Sequence, residues 1–198
     1  MSKAIALFDF DGTITFVDST RSFYRFLYKS QFTFFVNHYI FCLMDIFLCR
    51  MKFTSYLRLK NRRLHIHTSK FKEADFLNLT EEFNKKYFRS LLNPKALERL
   101  IWHRNQGHDV WVISASYDFL LIKWSMENGI NLITNKTTVA DSKRIMMGKD
   151  VNYNAKVEYL TSKVDLKIYK DIYAYGDSDG DIAMLNVANF KHYKPFIN

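Results

Sequence analysis

Glycine and proline are scarce in this 198-residue chain, with six and two copies. So few leave no Gly/Pro-rich linker, and neither a low-complexity tract nor an internal repeat is present. Cysteine is equally rare. Cys42 and Cys49 share one apolar segment without CxxC spacing or histidine-rich surroundings, which fits buried free thiols in a reducing compartment. Only one long apolar run exists, FTFFVNHYIFCLMDIFLC at 32–49, and Asn37, His38 and Asp45 interrupt it. An Asp near the centre of a bilayer costs about 2.5–3.5 kcal/mol, so a membrane span is the last reading of this run. A buried helix is the first. An interfacial helix against anionic lipid is the second, because Arg50, Lys52, Arg58, Lys60, Arg62 and Arg63 follow it.

What is abundant is apolar and aromatic: 48% and 17% of residues, which argues against disorder. The net charge of +9 is unevenly spread. Between Ser19 and Leu92 stand 14 Lys/Arg against 5 Asp/Glu, together with 17 of the 33 aromatics; the remainder holds 15 charges of each sign. The chain therefore reads as a charge-balanced frame around a basic, aromatic insert, suited to an anionic substrate or surface. Met1-Ser2-Lys3 leads straight into a strand that a cleaved signal peptide would remove, so a cytoplasmic location is expected, with peripheral membrane contact through the insert as an option.

Residues 3–10 predict a buried strand, and 18–90 a helical region with aromatics at three- and four-residue spacings. Asn93-Pro94 opens a helix ending before Gly107. A strand at 109–114, a helix at 117–128 and a strand near 131–133 follow. A polar stretch then runs to Asn154, before a helix from Ala155, a strand at 172–177 and a last helix over DIAMLNVA. Outside the insert, strands alternate with helices. The expected fold class is α/β, a Rossmann-like parallel sheet with helices on both faces plus the inserted helical segment.

In such sheets ligands gather at the carboxyl ends of the strands. Asp9 and Asp11 end the first strand, Ser114 ends VWVIS, and Asp177 ends IYAYGD. Clustered carboxylates coexist when a divalent cation neutralises them, and oxygen-only ligands favour Mg²⁺. Asp9 and Asp177 can supply those ligands and Asp11 can move a proton. Gly12 lets the backbone approach an anion closely, and successive N–H groups at such a turn form an anion nest. Lys156, early in its helix, offsets charge on a transferred group. These are the parts of phosphoryl transfer.

At these residues the sequence resembles the haloacid dehalogenase superfamily of phosphatases, nearest its phosphoserine-phosphatase-like branch. The motifs run in order: D9-F-D11-G-T13-I-T15, the strand ending in Ser114, Lys156 in NAKVEYL, and G176-D177-S-D-G-D181 followed by IAML. The resemblance implies that Asp9 attacks phosphorus to form an aspartyl-phosphate, and that Asp11 is the acid and then the base. It implies Mg²⁺ bound by Asp9, Asp177 and the backbone carbonyl of Asp11. Gly12, Thr13, Ser114 and Lys156 would hold the phosphoryl group of a small or lipid phosphate ester, with Asp181 in support. It also implies a catalytic core of 1–17 and 91–198 and a helical cap of 18–90 that closes over the site. Two positions depart from the phosphoserine phosphatases: Gly180 stands where they often have Asn, and Asp18 where they carry a substrate-binding Glu.

An EF-hand from Asp177 would need Gly and Glu where Ile182 and Ala188 stand. A phosphoaspartate signalling protein also uses an acceptor Asp, a Ser/Thr and a Lys, but its acidic pair precedes the acceptor. A non-catalytic basic module would bind anionic lipid or nucleic acid through the insert; intact acidic motifs argue against it, and no nucleic-acid partner is expected. Asp18 suits an N-cap as well as a substrate contact. His65 and His67, in a basic polar stretch, are expected at the surface. The sequence sets no oligomeric state.

Overall fold

The computed structural model describes residues 3–28, 31–51, 55–141 and 143–196; some side chains between 31 and 49 lie outside the described set, including those of Cys42 and Cys49, and with them the expectation about the thiols. Five parallel strands form the main sheet: β1 (Ala4–Phe8), β2 (Asp109–Tyr117), β3 (Asn131–Asn135), β6 (Asp171–Gly176) and β7 (Phe190–Tyr193), in the order β3-β2-β1-β6-β7. Every residue of β1 is buried, and the side chains of a strand alternate between faces. Ala6 and Phe8 join a core with α7 (Pro94–Asn105) and α8 (Asp118–Glu127), whereas Ile5 and Leu7 join a second core with α9 (Asn154–Thr161) and α10 (Ile182–Asn186). Burial on both faces explains why β1 reads as a continuous apolar run rather than an alternating one.

The expected helix at Asn93-Pro94 forms as read: the Asn93 side chain accepts a hydrogen bond from the N–H of Lys95, and Pro94 opens the first turn. β2 runs three residues beyond the expected end, because a register irregularity between Ser114 and Tyr117 lets the strand continue past a local bend. The stretch expected to be merely polar holds an antiparallel hairpin, β4 (Thr137–Ala140) with β5 (Lys143–Met146), turning through Asp141 at φ 48°.

Between β1 and β2 the described chain is helical: α1 (Ser19–Phe26), α2 (Gln31–Phe35), a π-helical turn (Val36–Ile40), α3 (Phe41–Arg50), α4 (Tyr56–Thr68), α5 (Glu73–Lys86) and α6 (Phe88–Leu91). The aromatic spacing pays off in ring packing, with Phe23 5.3 Å from Phe83 and Phe26 5.3 Å from Tyr87. The chain leaves and re-enters the sheet layer at one place, where the N–H of Phe16 donates to the Leu91 carbonyl and that of Asn93 to the Ile14 carbonyl. The β4–β5 hairpin grips this helical segment from the other side. Asn61 accepts from the N–H of Met146 at 2.7 Å, and Glu73 pairs with the nearly buried Arg144, whose guanidinium lies over Phe76.

Two expectations are corrected. His67 is buried rather than at the surface: its ring stacks on Tyr24 and its Nδ1 lies 2.9 Å from the Tyr28 hydroxyl, because α4 turns that face toward α1. The run at 32–49 is not simply a buried helix either. Phe32, Leu43 and Phe47 are 75%, 69% and 60% exposed, since no described element covers that face. No described helix is long and apolar enough to cross a membrane.

Candidate active site

β1 and β6 are neighbours at the point where chain progression reverses across the sheet, the position at which α/β folds open a crevice beyond the strand ends. There the N–H of Asp9 donates to the Tyr175 carbonyl at 2.8 Å, continuing the ladder by one rung and fixing Asp9 beside the Gly176-Asp177 turn. Asp9, Lys156 and Asp181 are all buried. The Lys156 ammonium donates to Asp9 Oδ1 and, at 2.6 Å, to Asp181 Oδ1, joining positions 147 and 25 residues apart in sequence. Asp181 spends its other oxygen on the Ser178 hydroxyl at 2.7 Å and the N–H groups of Ser178 and Asp177. Both of its oxygens therefore hold the lysine and the loop together.

Two glycines permit this approach. Gly12 sits at φ 82°, and a Cβ there would stand 2.4 Å from Asp177 Oδ2. A Cβ on Gly180 would stand 2.2 Å from Asn152 Oδ1, so the residue that departs from the phosphoserine phosphatases makes room for an asparagine arriving from another loop. Thr13 Oγ1 lies 3.4 Å from Asp177 Oδ1, and its N–H donates to the Phe10 carbonyl; both groups are engaged within the loop.

Asp11 is tied to the helical segment. Its Oδ1 accepts from the N–H of Ser19 at 2.7 Å, at the first turn of α1, where Asp18 caps the helix through the N–H of Arg21. Ser116 lies 3.0 Å from both Ser19 Oγ and Thr20 Oγ1, and its N–H donates to Ser114 Oγ, so hydroxyls couple β2 to α1.

The titration behaviour follows from this packing. Burial pushes the Asp9 carboxyl up to about 7; Lys156 opposes the rise, and the charges of Asp181 and Asp177 add to it. Burial, reinforced by the Asp18 charge, holds Asp11 well above the usual carboxylate range despite the hydrogen bond from Ser19. Asp177 is raised by burial and by Asp181. For Asp181 burial acts upward, but Lys156 and Ser178 outweigh it and hold the carboxyl below its ordinary value. For Lys156 burial acts downward, but Asp9 and Asp181 outweigh it and keep the ammonium charged.

Ligand oxygens of Asp9, Asp177 and Asp181 all lie within 4.8 Å of one another. The donors are hard oxygens, and burial, reinforced by mutual repulsion, raises two of the three carboxyls, which is the imbalance a bound cation relieves. With Asp181 committed to Lys156 and Ser178, Asp9 and Asp177 retain the capacity to bind one.

Asp9, Asp11, Ser114 and Lys156 open on one cavity of about 260 Å³. Asp18 lines it as well as capping α1. Its remaining walls include groups that sequence reasoning missed, among them Lys60, Arg63, Tyr117 and Asn152. Lys60 crosses from α4 to donate to the Ala115 carbonyl at 2.8 Å and to Asp150 at 2.6 Å; Asn135 donates to the same two acceptors. Burial lowers the Lys60 pKa, against the pull of Asp150. In sequence Lys60 is one cation in a basic run, and nothing local marks it.

A family model for haloacid dehalogenase-like hydrolases matches residues 6–186. Protein CicA of Caulobacter vibrioides is 27% identical over 198 residues, covering 97% of this chain and 86% of that protein. A Bordetella pertussis Tohama I protein of unknown function superposes with a TM-score of 0.79 at 18% identity, over 95% of this chain and 88% of that one. A phospho-aspartyl intermediate analogue of phosphoserine phosphatase superposes with a TM-score of 0.69 at 21% identity, over 96% and 86%.

Proposed function

Because the chain belongs to the haloacid dehalogenase-like hydrolases, we propose that it is a Mg²⁺-dependent phosphomonoester hydrolase acting through an aspartyl-phosphate on Asp9. The observation that carries this reading is the buried Asp9–Lys156–Asp181 bridge opening, with Asp11, on a single small cavity. Residues 1–17 and 91–198 form the catalytic core and 18–90 its cap.

An Asp9 carboxylate oxygen attacks phosphorus as the bond to the leaving oxygen breaks. Asp11, whose carboxyl burial holds well above the usual carboxylate range and so favours the acid form, gives its proton to that oxygen. Its Oδ1 is held by Ser19, leaving Oδ2 to carry the proton. Asp11, now ionised, takes a proton from a water that attacks the same phosphorus, and the Asp9 oxygen leaves as carboxylate. Ser114 and Lys156 hold phosphoryl oxygens, and Asp181 keeps Lys156 aimed at them. Gly12 and Thr13 shape the turn that brings the phosphoryl group beside Asp177. Mg²⁺, held by Asp9, Asp177 and the Asp11 carbonyl, would neutralise charge on the transferred group. Arg21, Lys60 and Arg63 on the cavity wall favour a small leaving group rich in oxygens.

Phosphate release from an aryl phosphate tests this. Turnover is expected with Mg²⁺, to vanish in EDTA and to return when Mg²⁺ is restored; undiminished turnover in EDTA would sink the cation assignment. Asp11→Asn is expected to lower kcat/KM for an alkyl phosphate more than for an aryl phosphate, by about tenfold or more, because the poorer leaving group needs the proton more. Equal losses on both would remove Asp11 from the role of acid.

A further inference from the structure

The helical segment carries a feature that phosphate chemistry does not use. Ile40, Leu43, Met44, Phe47 and Met51 are all exposed, and their spacing of i, i+3, i+4, i+7 and i+11 draws one apolar stripe along the end of the π-helical turn, α3 and the turn residue that follows it. Phe32 on α2 is exposed as well. A contiguous apolar stripe of this size is unusual on a solvated surface. Its electrostatic setting is one-sided: between residues 19 and 72 stand eleven lysines and arginines and a single acid, Asp45. Arg21 and Arg25 on α1, Arg50 on α3 and Arg58 on α4 are exposed.

We infer that this face docks on an anionic lipid bilayer, with the stripe in the headgroup–acyl boundary and the arginines against lipid phosphates. The charge pattern selects the occupant. A second copy would bring an equally cationic surface against this one. A nucleic acid would satisfy the arginines but offer nothing to Leu43, Met44 and Phe47. An anionic bilayer supplies negative charge and an apolar layer side by side over the whole length of the stripe. The geometry also ties the face to the site. A groove of about 790 Å³, whose walls include Val17, Arg25 and Phe32, shares Asp18 and Arg21 with the catalytic cavity. Docking would bring the cavity's edge to the membrane surface.

Vesicle co-sedimentation of the full chain tests the inference without any phosphate-ester substrate, so its outcome is separate from that of the hydrolase reading. Vesicles of phosphatidylglycerol and phosphatidylcholine are compared with phosphatidylcholine alone, for wild type and a Leu43→Asp/Phe47→Asp double variant. Wild type is expected on the anionic vesicles only, with release by salt. The double variant is expected to bind at least about tenfold more weakly, with unchanged circular dichroism and aryl phosphate turnover. Failure of wild type to bind anionic vesicles overturns the inference by itself. So does equal binding by the double variant. Light scattering that finds a dimer dissolved by the two substitutions, or tighter binding to DNA than to vesicles, would assign the face to another occupant and overturn it as well.

Discussion

Asp9→Asn is expected to lower kcat/KM on every phosphate ester by a factor on the order of 10⁴ or more while leaving the protein folded. The two halves of this expectation come from the same geometry. An amide oxygen is a poor nucleophile toward phosphorus, and the neighbouring carboxylates are otherwise engaged: both Asp181 oxygens hold Lys156 and Ser178, and Asp11 accepts from Ser19 with its carboxyl pushed well above the usual range by burial. The fold tolerates the change because burial already disfavours the Asp9 charge, raising its pKa to about 7, and Lys156 keeps Asp181 as a partner. Denaturation midpoints should therefore differ little between variant and wild type. The decisive readout is an acid quench during turnover followed by mass analysis of the peptide containing residue 9. Wild type should carry one phosphoryl group there and the variant none. Retained turnover in Asp9→Asn, or a phosphoryl group on another residue, would move the nucleophile elsewhere.

The parts of this molecule that sequence alone made legible share a physical property: their signal is local. β1 is apolar end to end because both faces are buried, and Asn93-Pro94 announces a helix because cap and first turn are adjacent residues. The hairpin β4–β5 was not legible, since four-residue strands rich in Thr, Lys and Arg offer too few apolar positions to establish a period. β7, FKHY, lies at the sheet edge with no buried residue, so it alternates nothing. Burial of His67 depends on rings of α1 that lie far away in sequence. The stripe on α3 shows the same limit in reverse. Composition identifies Leu43 and Phe47 as apolar, but whether a partner element covers them is decided by packing.

At the site the division is similar. The acidic pairs stand out because two carboxylates at the end of an apolar strand are costly without a purpose. Lys156 could be singled out only by its order among the motifs, and Lys60, Asp150 and Asn152 not at all, because their meaning lies in contacts made across the cavity. Gly180 looked like a departure from a family pattern. In the fold, Asn152 Oδ1 occupies the space a side chain there would need.

Lys156→Met carries the largest expected effect on stability. The substitution preserves much of the side chain's length and removes its charge, leaving Asp9 and Asp181 facing each other in a site where both are buried. Breaking a buried ion pair by removing one partner costs about 3–5 kcal/mol, because the remaining charge is neither solvated nor compensated. The pH dependence separates this cause from a loss of packing. In wild type Lys156 holds the Asp181 carboxyl below its ordinary value, so that interaction stabilises the fold above the unfolded carboxylate pKa of about 3.9 and fades as pH falls through the folded value. In the variant both carboxyls are raised by burial and mutual repulsion, and they take up protons at a pH where wild type keeps Asp181 ionised. The stability gap should thus be widest near pH 8 and shrink toward pH 5, as measured by chemical denaturation at the two values. A gap independent of pH would assign the loss to packing alone. Equal midpoints at pH 8 would mean that the Lys156 bridge contributes nothing to the fold.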